Sequence, residues 1–270
     1  MHKTLRKLLR VVADHDPDYY DMYADGNEAL FAQLYLARIL RHVEAAGIRP
    51  PARVLDVGCQ AGRLAIPLAA RGFDVTAVDT SLFALRRARR HAQAAGVGVR
   101  WVRGDILRVL DRGPQAFDVI VCAEVLYLSP QYRRILERLA GAARPGGLVC
   151  VSHRPLLYYL YEALRFQDAP SALSVLRRRE GPCNGAAYVN WQTEEDLRAL
   201  YRDAGLAWVT AYAIDRVAWL AGMNVSRLSS ADQQVWLELE LGLGEQEGMG
   251  GRYALVIASR PADNPETKIP

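Results

Sequence analysis

The sequence predicts an α/β fold, a mostly parallel sheet with helices on both faces. Three observations carry that expectation. Short apolar runs alternate with amphipathic helical patterns, the rhythm of strand–helix–strand units. The run Val54-Leu55-Asp56-Val57 breaks at Gly58 and Gly62, then resumes as a helical pattern from Leu64 to Ala70. Three of the apolar runs end in an acid, at Asp56, Asp79 and Asp105, which would set carboxylates along one edge of the sheet.

Length and composition set the frame. A chain of 270 residues, 51% hydrophobic, with a formal charge of +4, fits one large α/β domain with insertions. A nucleic-acid binder is usually more basic, with its charge clustered, so no nucleic-acid partner is expected. Cys59, Cys122, Cys150 and Cys183 lack metal-ligand spacing, and no metal is expected. They read as reduced thiols of a cytoplasmic protein. No apolar run reaches membrane-spanning length, and the basic N-terminus lacks the apolar core of a secretory signal.

Along the chain, residues 1–14 carry leucines at helical spacing beside basic residues and predict an amphipathic helix. A second helix is expected from Asn27 to about Gly47. Together these form an N-terminal helical cap over 1–48, with Tyr19, Tyr20 and Tyr23 between them. The domain proper spans 49–260. In its first turn, Gly58 and Gly62 permit positive φ and close backbone approach to a ligand at a helix N-terminus. Gln60 has a Cβ, so the turn must keep it in an allowed region or direct it outward. Asp56, a carboxylate at a buried strand end, costs free energy without a cationic or hydrogen-bonding partner. A zwitterionic amino-acid ligand suits it better than phosphate.

The second strand, Asp74 to Asp79, ends about 20 residues past that turn, where nucleotide folds place the acid that receives ribose hydroxyls. The competing reading is an N-cap for the helix beginning near Ser81. The arginine run from Arg86 to Arg90 reads as a solvated helix face. Val99–Arg103 is a third strand, and Phe117 to Leu128 a fourth with its exit. A helix from Gln131 to Ala143 and a turn, Arg144-Pro145-Gly146-Gly147, lead to a fifth strand over Leu148–Ser152. His153 follows at the strand end and is a candidate general base, with an ordinary pKa suited to that role. Residues 155–190 interrupt the alternation with aromatic-rich helical segments and read as a substrate lid, or else a dimer contact. Thr193 to Asp203 begins with an N-cap and acids in the first turn. Trp208–Ile214 is a sixth strand, residues 216–249 a second insertion with a helix over Ser230–Leu241, and Arg252–Ser259 the last strand. Residues 261–270 have disordered composition.

VLDVGCQAG, FDVIVCAEVLYL and RPGGLVCVS resemble motifs of the class I S-adenosylmethionine-dependent methyltransferases. That family carries an acid two residues before the first of several glycines, and this sequence departs from it at Gln60, where glycine is more common. The resemblance implies a Rossmann-like sheet of seven strands, mostly parallel with the last strand antiparallel, carrying helical cap insertions. It implies S-adenosyl-L-methionine as cofactor, bound by Asp56, Gly58, Gln60, Gly62, Asp79, Thr80 and Ala123. Asp105 would accept the adenine amine, Ile106 would pack on the ring, and Tyr20 or Tyr23 would close over it. Glu124 and Tyr127 would lie near the methyl group, beside His153. The family's Asn/Asp-Pro-Pro-Tyr/Phe tetrapeptide is absent, which argues against methylation of adenine or glutamine nitrogens. The expected partner is a small-molecule acceptor, with O or N as the methyl acceptor, and the protein a monomer or homodimer. Two alternatives stand beside this: a non-catalytic binder of the same cofactor, and an NAD-dependent dehydrogenase. The dehydrogenase fingerprint needs two glycines one residue apart, which Gly58-Cys59-Gln60 lacks.

Overall fold

A computed structural model describes residues 21–111, 116–183, 186–244 and 250–262. The helix expected over 1–14, Tyr20 and most of the tail lie outside these residues.

The buried apolar runs form a seven-stranded sheet in the order β3-β2-β1-β4-β5-β9-β8. Its strands are β1 (Arg53–Val57), β2 (Asp74–Asp79), β3 (Arg100–Arg103), β4 (Phe117–Cys122), β5 (Ala143–His153), β8 (Ala207–Ile214) and β9 (Tyr253–Ser259). The pairs from β3 through β5 are parallel, and β9 runs antiparallel between β5 and β8. Strand order reverses between β1 and β4. A crevice opens at such a switch point beyond the carboxyl ends of the strands.

Alternation along each strand sends its side chains into two cores. One holds Val54, Val119, Val121, Leu148, Cys150, Leu255 and Ile257. The helix α1 (Gly26–Ala45) packs there through Leu34, Tyr35 and Ile39, so it is built into the domain core. Asp25 caps it, accepting from the amides of Asn27 and Glu28. The other core joins Leu55, Val57, Ile120, Val149, Val151 and Val256 to Leu136, Leu139, Leu197 and Tyr201.

Several boundaries differ from expectation. Arg144 to Gly147 lies within β5, where the amide of Gly146 donates to the Arg260 carbonyl and the amide of Arg260 to Gly147. The first insertion comprises helices Leu156–Arg165 and Ala169–Arg177, then an unforeseen hairpin of β6 (Glu180–Cys183) and β7 (Ala186–Asn190). Pro170 lies in the first turn of the second helix, where its missing N–H has no role. The second insertion holds a short helix over Val217–Ala221 and a longer one, Ser230–Gly244. All four cysteines are buried and none is in a disulfide. Among the described residues, no helix is long and apolar enough to cross a membrane.

Candidate active site

The turn after β1 is shaped by its glycines. Gly58 sits at φ +70°, and a Cβ there would collide with Val125 Cγ2. Its amide and that of Cys59 donate to the Val78 carbonyl, tying the turn to β2. Gln60 also takes a left-handed backbone, at φ +46°. Its side chain folds inward and is buried: Oε1 accepts from the Ala61 amide and, at 3.2 Å, from the amide of Met22. The glutamine therefore joins the N-terminal segment to the glycine turn.

Asp79, at the end of β2, accepts the Gln60 amide on Oδ2 and the Ser81 amide on Oδ1, both at 2.8 Å. Ser81, not Asp79, caps the following helix, through its Oγ and the Ala84 amide. Asp105 caps the helix Ile106–Leu110 with Oδ1, and Ile106 is buried beneath. Thr80 is exposed beside Asp79.

A cavity of about 490 Å³ opens at the switch point, lined from the turn by Asp56, Gly58, Gln60 and Arg63. Ala123, Glu124 and Tyr127 line it from the exit of β4, Met22, Glu28 and Phe31 from the N-terminal side, and Arg154, Tyr158, Arg252 and Tyr253 from the C-terminal half. Asp56 is buried, and its Oδ2 makes no hydrogen bond. Burial pushes its carboxyl up to about 7, against the opposing pull of Arg63. Arg63 is buried between two carboxylates, bonding Glu28 on one side and Glu124, at 2.7 Å, on the other. One guanidinium serves both acids, so they part in character. Burial raises Glu28 to about 7, with Glu124 adding to the rise. Burial would raise Glu124 too, but Arg63 and a bond from Tyr253 hold it below the usual carboxylate range. Glu124 has φ +63°, and its amide donates to Ser152 Oγ at 2.6 Å. Two left-handed non-glycine residues on one cavity wall are strain of the kind that gathers at functional sites.

The structure corrects one of the expected placements. His153 is 1% exposed and points to the opposite face of the sheet, where Nε2 meets Tyr201 Oη at 2.9 Å. Burial drives its pKa down to about 3, so the ring is a neutral core group and not a base at the cavity. The cause is alternation: Ser152 and Arg154 face the cavity side, and His153 lies between them. Tyr23, like Asp79, Asp105 and Ile106, lies outside the cavity lining. It stacks on His91, with ring centroids 4.4 Å apart and an interplanar angle of 22°, and Met22 takes the place at the rim. Glu28, Arg63, Arg154 and Tyr253 were missed. Their only sequence signals are helical phase for Glu28, the glycine turn for Arg63 and strand parity for Arg154.

Comparison with known proteins bears on this geometry. A family model described as a methyltransferase domain matches residues 54–147, the span from β1 into β5 that builds the crevice floor. Residues 54–147 are thus similar to a methyltransferase domain. Within this span lie the glycine turn, Asp79, Asp105 and the strand-four exit. The ubiquinone biosynthesis O-methyltransferase of Photorhabdus laumondii is 36% identical over 100 residues, covering 37% of this chain and 42% of that protein. The chain thus spans less than half the length of that curated relative. Magnesium protoporphyrin IX methyltransferase from Synechocystis, solved with bound SAH, superposes with a TM-score of 0.60 at 17% identity, over 96% of this chain and all of that one (100%). The cyclase SpnF superposes at a TM-score of 0.52 and 16% identity, over 83% of this chain and 80% of that one. At these identities the superpositions report the fold alone, and the names of the two neighbours show one fold carrying more than one chemistry.

Proposed function

We propose that the protein transfers a methyl group from S-adenosyl-L-methionine to an oxygen of a small-molecule acceptor. The observation that carries this reading is the convergence of the glycine turn and the strand-four exit, two separate motifs of the span similar to a methyltransferase domain, on one cavity. The residues fit the cofactor: the unpaired Oδ2 of buried Asp56 suits an amino-acid ammonium, which restores the missing bond. When bound, the cofactor supplies a sulfonium methyl that is already an activated electrophile.

The chain's own part is then positioning and exclusion of water. Asp56 holds the amino-acid end, Asp79 receives the ribose hydroxyls, and Asp105 with Ile106 flanks the adenine. Tyr127, pushed above its ordinary pKa by burial, stays a neutral hydroxyl that orients the acceptor by hydrogen bonding. A hydroxyl acceptor must lose a proton. Glu28, raised to about 7, accepts it near neutrality, whereas Glu124 stays ionised against Arg63. The Photorhabdus relative is by name an O-methyltransferase, in agreement with an oxygen acceptor.

Calorimetry with S-adenosylhomocysteine tests the assignment. The Asp79→Asn variant removes the charge and keeps one of the two acceptor oxygens, so that either the Gln60 or the Ser81 amide loses its bond. Affinity should fall about tenfold or more, since hydrogen bonds to a charged group are each worth roughly 1.5–3 kcal/mol. Unchanged affinity would remove Asp79 from the site, and preferential binding of NAD would return the case to a dehydrogenase.

A further inference from the structure

The cavity wall carries three arginines, and two are matched by acids. Arg63 is held by Glu28 and Glu124, and Arg252 meets Asp215 at 3.6 Å. Arg154 differs. It is 4% exposed; its Nη2 donates to Tyr253 Oη at 2.9 Å, and its Nε and Nη1 make no hydrogen bond. Its guanidinium lies among the rings of Tyr158, Tyr253 and Tyr127, at 4.0, 4.5 and 5.0 Å from their centroids. Ring faces attract a cation, but they leave N–H donors unmet. A buried cation with two unmet donors is costly unless an anion completes it. Glu124 feels the field of Arg154, yet its carboxylate is bonded to Arg63. Of the three rings, Tyr158 is the least buried and comes from the first turn of the helix Leu156–Arg165. It is the ring an incoming group would displace.

We propose that Arg154 is the anion-binding residue of the acceptor site, and that the acceptor carries a carboxylate on an aromatic or apolar body. The carboxylate accepts from the unmet donors, and Tyr127, Tyr158 and Phe31 surround the body. This deepens the methyl-transfer reading and rests on it for the word acceptor. The same chemistry has a second source, the carboxylate of the cofactor's own amino-acid end, and the test separates the two.

Wild-type protein saturated with S-adenosylhomocysteine is titrated with benzoate, phenylacetate and 3-phenylpropionate, each against its neutral amide. At least one acid should bind about tenfold tighter than its amide, the scale of a hydrogen bond to a charged group. Arg154→Gln should bring that ratio to within roughly twofold, and Arg154→Lys should keep part of it, because a point charge remains without the planar fork. Affinity for S-adenosylhomocysteine should be the same in all three proteins. Equal binding of every acid and its amide by the wild type would overturn the proposal, whether or not the variants fold. A parallel loss of S-adenosylhomocysteine binding in Arg154→Gln would overturn it too, giving Arg154 to the cofactor. Should the wild type not bind S-adenosylhomocysteine at all, methyl transfer falls. An acid preference measured without it, and lost in Arg154→Gln, would still support the anion site.

Discussion

Asp56 holds one carboxylate oxygen without a partner at the end of β1, and its cost depends on pH. Its folded-state pKa is raised from 3.8 to about 7. The protonated form is therefore the one the fold prefers. That contribution is fully present below about pH 4 and is lost as pH rises through about 7. Asp56→Asn, neutral at every pH, should flatten this loss. At pH 8 the ligand-free variant should be more stable than wild type by roughly 1–3 kcal/mol, the cost of an unsatisfied buried polar group. Denaturant titrations at pH 5 and pH 8 measure it, and a variant less stable than wild type at pH 8 would show that Asp56 is satisfied. The same acid was visible in the sequence because a carboxylate in an apolar run is anomalous. Position 153 was misread for the converse reason. A histidine at a strand end looks functional, but its direction is set by strand parity, and the parity of β5 is fixed only once Leu148 and Cys150 are known to face the cavity side.

The insertion after β5 is stitched to the loop that presents Glu124 and Tyr127. Asn190, at the end of β7, is buried and donates from Nδ2 to the Leu126 carbonyl at 2.9 Å, while Gln192 Nε2 donates to its Oδ1 at 3.0 Å. Trp191 anchors the same segment, its Nε1 donating to the Val175 carbonyl at 2.9 Å. An element that lines the cavity through Tyr158 and also braces the loop behind Tyr127 is coupled to the cavity's geometry. Asn190→Ala removes the brace and leaves the buried Gln192 Nε2 without its acceptor, while the Leu126 carbonyl keeps only its bond from the Ser129 amide. Turnover should fall about tenfold, with stability lower by roughly 1–3 kcal/mol. Binding of S-adenosylhomocysteine should change little, because the glycine turn is untouched. A variant with full turnover would make the hairpin a passive insert. The sequence predicted the helices of this insertion from their periodicity. It hid the hairpin, because Gly181 and Pro182 in so short a strand carry loop chemistry.

At the scale of the whole molecule, three separated parts of the chain meet at the cavity. The methyltransferase-like span over 54–147 supplies the floor. The N-terminal helix supplies Glu28 and Phe31, and packs on the second insertion through Phe31 against Trp236 and through Asn27 Oδ1, which accepts the Ser226 amide at 2.8 Å. The C-terminal half supplies Arg154, Tyr158, Arg252 and Tyr253. The floor was legible because a glycine turn and strand-end acids are local patterns. The walls were not, since Arg63 and Glu28 are 35 residues apart and their pairing exists only after α1 packs on the sheet. A ligand that fills the cavity must tie all three parts together. At a hundredfold excess over its Kd, S-adenosylhomocysteine should add about 2.7 kcal/mol to stability. If the walls belong to the acceptor site, S-adenosylhomocysteine alone should slow hydrogen exchange around 56–64, and adding the bound acid should extend the slowing to 22–31 and 154–165. Wall protection by S-adenosylhomocysteine alone would give the walls to the cofactor. Protection by S-adenosylhomocysteine confined to the floor would mean that the N-terminal helix and the first insertion form no part of the cofactor site. The acceptor would then be the only ligand left for Glu28, Arg154 and Tyr158 to recognise.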